Sequence, residues 1–165
     1  EIVRKINPDL PIVWGGHHVT LAAEQSLQSS GYVDVVVRGE GERSLIALYE
    51  LIRERKSDPS EILGVSFLRD GKVVNNPEAP LIKDIDSLPP FPYHLFVEFS
   101  ERMKSARAYD FGFILSSRGC PYKCNYCSIR MMSGNTYRYR APEKVVEELR
   151  VLVEDFGVTN IFFIL

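Results

Sequence analysis

The sequence predicts an α/β protein built on parallel sheet, and three observations carry that expectation. Short runs rich in valine and isoleucine alternate with stretches of helical period. Those runs are apolar almost throughout, as strands are when helices cover both faces of a sheet. Two of them close on glycine turns, Gly15-Gly16 and Gly39-Glu40-Gly41, and in parallel sheets ligands bind at such carboxyl ends.

"EIVRKINPDLP" at the start reads as the tail of a helix running into a strand. "PIVWGG" (11–16) is that strand with its exit turn. "VTLAAEQSLQSS" (19–30) reads as a helix with Leu21, Ala22 and Leu27 near one face, and Gly31 suits the position past its end. "VDVVVRGEGE" (33–42) is again strand then glycine turn, its valines β-branched as a buried strand prefers. "ERSLIALYELIRERK" (42–56) is amphipathic, with Leu45, Leu48, Tyr49 and Ile52 expected along the buried side. Glu42 is also well placed at that helix N-terminus. "ILGVSFL" (62–68) is a third strand, and the order strand, helix, strand, helix, strand predicts that all three run parallel.

The pattern changes from 69 to 108. "RDGKVVNNPEAPLI" predicts a hairpin turning at Asp70-Gly71. "DIDSLPPFPYHLF" holds prolines at 89, 90 and 92, which remove backbone donors and fix φ. It reads as a stiff connector between residues 1–68 and a second domain over 109–165. There "DFGFILSSRG" (110–119) is a strand leading to a loop. "APEKVVEELRVLVEDFG" (141–157) is a helix with Pro142 in its first turn and Gly157 as its stop. Its expected apolar stripe is Val145, Val146, Leu149, Leu152 and Val153. "VTNIFFIL" (158–165) is the next strand. The chain opens without a methionine and stops within an apolar run, so a segment of something longer is expected.

Composition narrows the function. The chain has 165 residues, 45% of them hydrophobic and 25% charged, with a net charge of −2. That balance gives no sign of a nucleic-acid or acidic-membrane partner. No apolar run approaches the roughly 20 residues of a membrane span. The basic run "TYRYRAPEK" (136–144) is at most a local patch, either a phosphate or carboxylate site or a solvated loop.

All three cysteines lie in "SRGCPYKCNYCS" (117–128): Cys120, three residues, Cys124, two residues, Cys127. A disulfide framework would spread an even number along the chain, so a reducing compartment, the cytoplasm, is expected. Thiolates are soft ligands that favour iron–sulfur clusters or zinc. A four-iron cube held by three cysteines leaves one iron open to an amine and a carboxylate of a small molecule. A closed electron carrier needs a fourth cysteine, and structural zinc needs a fourth ligand, either His94 or a residue outside the chain. Gly119 permits unusual φ, Pro121 pushes Cys120 towards extended backbone, and Lys123 and Arg118 are placed to offset thiolate charge.

"CPYKCNYC" with these flanks resembles the CxxxCxxC signature of the radical S-adenosylmethionine (radical SAM) superfamily. "VWGGHHVT", "VDVVVRGEGE" and "DIDSLPPFP", in that order ahead of it, resemble the cobalamin-binding domain that precedes many radical SAM barrels. The resemblance implies the carboxyl part of a Rossmann-like (flavodoxin-like) parallel sheet, a linker, then the first βαβ of a partial TIM-like barrel. It implies that Cys120, Cys124 and Cys127 bind a [4Fe-4S] cluster and that S-adenosylmethionine chelates the open iron. One electron then breaks the sulfonium bond and yields a 5′-deoxyadenosyl radical. Tyr126 matches an aromatic position near the adenine, and simple loop packing is its other reading. Gly15, Gly16 and His18 match positions beside cobalamin, while His17 stands where the family often has proline. A small-molecule substrate, and an electron donor such as flavodoxin or ferredoxin, are implied as partners. The reactions implied are methyl transfer, rearrangement, ring closure or oxidation. Two alternatives stay open: a radical SAM enzyme with a vestigial cobalamin domain, and a non-enzymatic zinc module.

Overall fold

The computed structural model describes residues 1–95 and 111–164, without the side chain of Phe111. The part of the expected connector beyond residue 95, Asp110 and Leu165 lie outside the described residues. The chain divides into two compact units: Glu1–Leu81 with Tyr122–Gly134, and Ile82–Pro121 with Asn135–Leu165.

The first unit holds a four-stranded sheet in the order β1-β2-β3-β4, formed by Val13–Gly15, Val35–Val37, Val65–Arg69 and Lys72–Asn75. β1 and β2 pair parallel, Val13 opposite Val35 and Gly15 opposite Val37, as their composition predicts. Side chains on a strand alternate between faces, and β2 uses both. Val36 packs with Val19, Ala23 and Leu27 from one pair of helices, α2 (His17–Leu21) and α3 (Ala23–Ser30). Val37 packs with Leu48, Val65 and Phe67 on the other side, beneath α4 (Glu42–Arg53). A short α1 (Ile2–Ile6) precedes β1.

Four details depart from expectation. The single helix over 19–30 is two, broken at Ala22 (φ −133°, ψ 42°). α3 then ends where foreseen, on Gly31 in left-handed conformation (φ 59°). On α4 the buried residues are Ser44 and Leu48, with Gly41 before the helix and Leu51 half-buried in the same line, while Leu45, Tyr49 and Ile52 are exposed. The cause is local: Ser44 Oγ donates to the Leu63 carbonyl (2.7 Å), and a Cβ on Gly41 would lie 3.1 Å from Val37. The small side of the helix therefore faces the sheet.

β3 runs antiparallel to β2, not parallel, with Val35 opposite Phe67 and Val37 opposite Val65. A twelve-residue helix spans about 18 Å, and the segment 54–64 can cover about 36 Å when extended. That segment carries the chain back to the exit of β2, where Arg38 N–H donates to the Gly64 carbonyl (2.7 Å). Finally, the hairpin turns as predicted, with φ 52° at Asp70 and 73° at Gly71, but β4 extends the same sheet instead of standing apart.

The second unit pairs β5 (Phe111–Leu115) with β8 (Asn160–Ile164) in parallel, Phe113 opposite Phe162. They are linked through a two-strand ladder, β6 (Ser117–Arg118) with β7 (Arg138–Tyr139), and through α6 (Pro142–Arg150). Pro142 opens α6 as expected, and the helix then widens into a π turn over Val151–Asp155 before Gly157 (φ 67°) stops it. Its inward line is narrower than predicted. Leu152 is buried, Val145 and Leu149 pack against it, and Val146 and Val153 are exposed. The core is completed by Tyr93, Ile114 and Val158. The stretch 82–95 is therefore integral to this unit: Ile82, Ile85 and Tyr93 are all buried, the last two on 3₁₀ turns, Ile85–Ser87 and Tyr93–Leu95.

Candidate functional site

Parallel β1 and β2 place their glycine turns side by side. Gly15 ends β1 opposite Val37, and Gly16 (φ 103°) opens α2. Gly39 (φ 69°) follows β2. Thr20 joins the two turns: its hydroxyl donates to the Gly16 carbonyl (2.8 Å) and accepts from the Gly39 N–H (3.0 Å). Sequence reasoning missed Thr20. The available signal was a threonine four residues after a glycine turn, the spacing at which a hydroxyl reaches back to a carbonyl. His18 is exposed and stacks on Trp14, with ring centroids 5.5 Å apart.

Beside this edge the first unit has a cavity of about 360 Å³. Thr20, Arg38 and Gly39 line it from the sheet edge, and Arg130, Met131 and Met132 from α5 (Ile129–Ser133), the helix after the cysteine loop. Gly15, Gly16 and His18 are not among its lining residues. Arg38 is held by carbonyls, its guanidinium donating to Asn76 O and to Val65 O (3.4 Å).

All three cysteines are free thiols. Cys120 is half-buried and belongs to the second unit, following β6 and Gly119 (φ 85°). Cys124 is exposed, Cys127 half-buried, and both belong to the first unit, where Cys127 N–H donates to the Cys124 carbonyl (3.2 Å). Among the described residues, no three His, Cys, Asp or Glu side chains converge as ligands of one metal ion. The residue types nevertheless fit a thiophilic cluster: three soft thiols at CxxxCxxC spacing, the first preceded by a glycine in left-handed conformation. Tyr126 is 92% exposed, and Lys123 and His94 are exposed as well.

The basic run 136–144 is neither an anion patch nor a solvated loop. Arg138 is buried, and its guanidinium donates to the Ile82 carbonyl (2.6 Å). Arg140 pairs with Glu148, itself only 5% exposed, and donates to the Leu115 carbonyl (3.2 Å). The Tyr93 hydroxyl lies 2.6 Å from the Phe113 carbonyl and 2.9 Å from Glu148 Oε1. Asp86 Oδ2 accepts from Ala141 N–H at the start of α6 (2.8 Å).

Burial pushes the Tyr93 phenol well above its usual range; the hydrogen bond to Glu148 and its charge add to this, and Arg140 partly opposes it. The folded protein thus keeps this proton to higher pH than the unfolded chain, whose phenol titrates near about 10. The stability it contributes is complete below about pH 10 and is lost as pH rises beyond that. Melting curves between neutral pH and pH 11 should show a fall on the alkaline side that is shallower in Tyr93→Phe. Equal falls in the two proteins would count against this assignment.

Taken together, these features define a chain with two α/β units, one presenting glycine turns at parallel strand ends and the other leading a strand into a thiol-bearing loop. Residues 1–49 match the B12 binding domain family, and residues 114–164 match the Radical SAM superfamily. The chain is 35% identical, over 99% of its length, to an uncharacterized methyltransferase of Pyrococcus horikoshii, and covers 35% of that protein. It is 32% identical, over its whole length, to the anaerobic magnesium-protoporphyrin IX monomethyl ester cyclase of Rubrivivax gelatinosus, covering 29% of it. It thus spans about a third of the length of these curated relatives. The radical S-adenosylmethionine methyltransferase TsrM of Kitasatospora setae, solved with tryptophan and a SAM analog, shares the fold over 98% of this chain and 31% of its own, with a TM-score of 0.72 and 21% identity. The cobalamin-dependent S-adenosylmethionine radical enzyme OxsB, solved with aqua-cobalamin, gives 0.74 and 20% identity over 98% of this chain and 22% of its own. One chain thus carries a match to the B12 binding domain family ahead of a match to the Radical SAM superfamily. Among the described residues, no helix is long and apolar enough to cross a membrane.

Proposed function

We propose that the whole protein is a cobalamin-dependent radical SAM enzyme and that Cys120, Cys124 and Cys127 hold its [4Fe-4S] cluster. The observation that carries this reading is the set of three free thiols at CxxxCxxC spacing, downstream of the parallel strand β5 and the short β6. With three protein ligands, one iron stays open to S-adenosylmethionine. When bound, the cluster supplies the single electron that cleaves this cosubstrate and starts radical chemistry. The chain's own part is to hold and shape. Gly119 turns the backbone into the first cysteine, and the adenine lies near Tyr126, whose exposure beside Cys127 leaves its ring open to a ligand. Gly15, Gly16 and His18 border the cobalamin, with Thr20 keeping the two glycine turns in register.

The substrate is a small molecule, and the reaction is methyl transfer, rearrangement, ring closure or oxidation; methyltransferases and cyclases among the relatives support this range. The electron donor is a small redox protein of the flavodoxin or ferredoxin kind. Three cysteines crowded into eight residues, an odd number, support a reducing compartment, the cytoplasm. The test is anaerobic iron–sulfur reconstitution of the full-length protein. A brown protein whose EPR signal changes on adding S-adenosylmethionine is expected, with cobalamin retained through gel filtration. A colourless protein holding stoichiometric zinc would overturn the reading. Loss of cobalamin alone would leave a radical SAM enzyme with a vestigial domain.

A further inference from the structure

Within the second unit, one buried polar group stands out because an apolar core would not need it. Glu148 is 5% exposed and sits on α6, facing Arg140 and Tyr93. A carboxylate taken out of water costs several kcal/mol unless closely paired, and replacing such a pair by apolar residues is often neutral for stability. What this group does achieve is geometric. Arg140 reaches Leu115 O through its side chain (3.2 Å) and Ser116 O through its own N–H (2.9 Å). Tyr93 reaches Phe113 O (2.6 Å). Three carbonyls at the exit of β5 are thereby held. On its other edge that exit is tied to β8, where Ser116 N–H donates to Ile164 O (3.3 Å). Four residues separate Leu115 from Cys120, and the β6–β7 ladder fixes two of them, Ser117 and Arg118.

We propose that Tyr93, Glu148 and Arg140 are positioning residues for Cys120: they set the exit of β5 and so the approach of the chain to the first cysteine. The Pro-rich segment has a task on this account, since it delivers Tyr93 to the clamp. Glu148 aligns the Arg140 fork, and Arg140 carries that alignment to the backbone. Their effect on the cluster passes through the strand, whose carbonyls they hold.

The inference rests on the reading of the cysteines as cluster ligands, and the test separates the two. The full-length protein is loaded anaerobically with iron and sulfide. Iron release to a chelator and the EPR line shape of the reduced cluster are then compared for wild type, Tyr93→Phe, Arg140→Lys and a core control, Val158→Ala. Val158 is buried in the same unit, and its truncation lowers stability without touching the β5 exit carbonyls. Loss of partners that orient a ligand typically weakens metal binding about 10–100-fold, so the clamp variants should release iron about tenfold faster and broaden the EPR signal. Val158→Ala should release iron at the wild-type rate despite its lower melting temperature. Arg140→Lys keeps the charge pair and loses the reach to Leu115, so it decides the matter if Tyr93→Phe does not fold. Wild-type release rates in the clamp variants, or equally fast release from Val158→Ala, would overturn the inference alone. A wild-type protein that takes up no iron would overturn the cluster reading and this inference with it.

Discussion

Replacing Cys124 with alanine in the full-length protein is expected to remove most of its iron and all S-adenosylmethionine-dependent change in its EPR signal. The reason is ligand arithmetic. A cube with three protein thiolates already has one unprotected iron, and a second open corner exposes the cluster to loss and oxidation. Cys124 is the most exposed of the three thiols, so its removal leaves no cavity and should leave folding intact. That makes it a cleaner test than Cys120 or Cys127, which are half-buried. The measurements are iron and sulfide content after anaerobic reconstitution, with far-UV circular dichroism as the check on folding. Full iron content in the folded variant would show that the cluster ligands lie elsewhere.

Gly64→Val is expected to destabilise the first unit by about 2–5 kcal/mol, a large share of the roughly 5–15 kcal/mol that holds a domain together. Two causes add. Gly64 has φ 74°, where a side chain costs about 1–2 kcal/mol. A Cβ there would also lie 2.9 Å from Ala79 Cβ and 3.0 Å from Ser44 Oγ, and overpacking of this kind costs about 1–3 kcal/mol. Neither neighbour is the free end of a flexible chain: Ala79 Cβ is fixed to its backbone, and Ser44 Oγ is bonded to Leu63 O. Gly64 is also the residue whose carbonyl receives the Arg38 N–H at the β2 exit, so the damage falls on the edge that carries the glycine turns. A fall in urea midpoint, with weaker cobalamin retention, should follow. An unchanged midpoint would show that the turn relaxes without cost.

The features legible in the sequence share one property: they are local. Gly31 past α3, Asp70-Gly71 in the hairpin, Pro142 at the head of α6 and Gly157 at its end each answer a demand of the backbone within a few residues. Strand and helix identity followed from period, and the parallel β1–β2 pair from its wholly apolar valines. The direction of β3 was not legible, because it depends on whether residues 54–64 fold short or stretch back along α4. The buried side of α4 was misjudged because size drew attention to Leu45 and Tyr49, whereas close approach to Val37 selects Gly41 and the Leu63 carbonyl selects Ser44. Thr20 and Arg38 went unseen because their partners, Gly39 N–H and the carbonyl groups of Val65 and Asn76, are backbone atoms that leave no mark in residue type.

By itself the sequence set which soft donors the chain offers, since the type and spacing of three thiols are properties of eight consecutive residues, 120–127. It likewise determined where glycine must relieve the backbone and which stretches are strand or helix. Only the tertiary structure decided that buried Glu148 pairs with half-buried Arg140, and that the Pro-rich stretch brings Tyr93 into a core. A charge is tolerated inside only when its counter-charge and hydrogen-bond partners arrive from elsewhere in the chain. For Glu148 one of them, Tyr93, comes from 55 residues away.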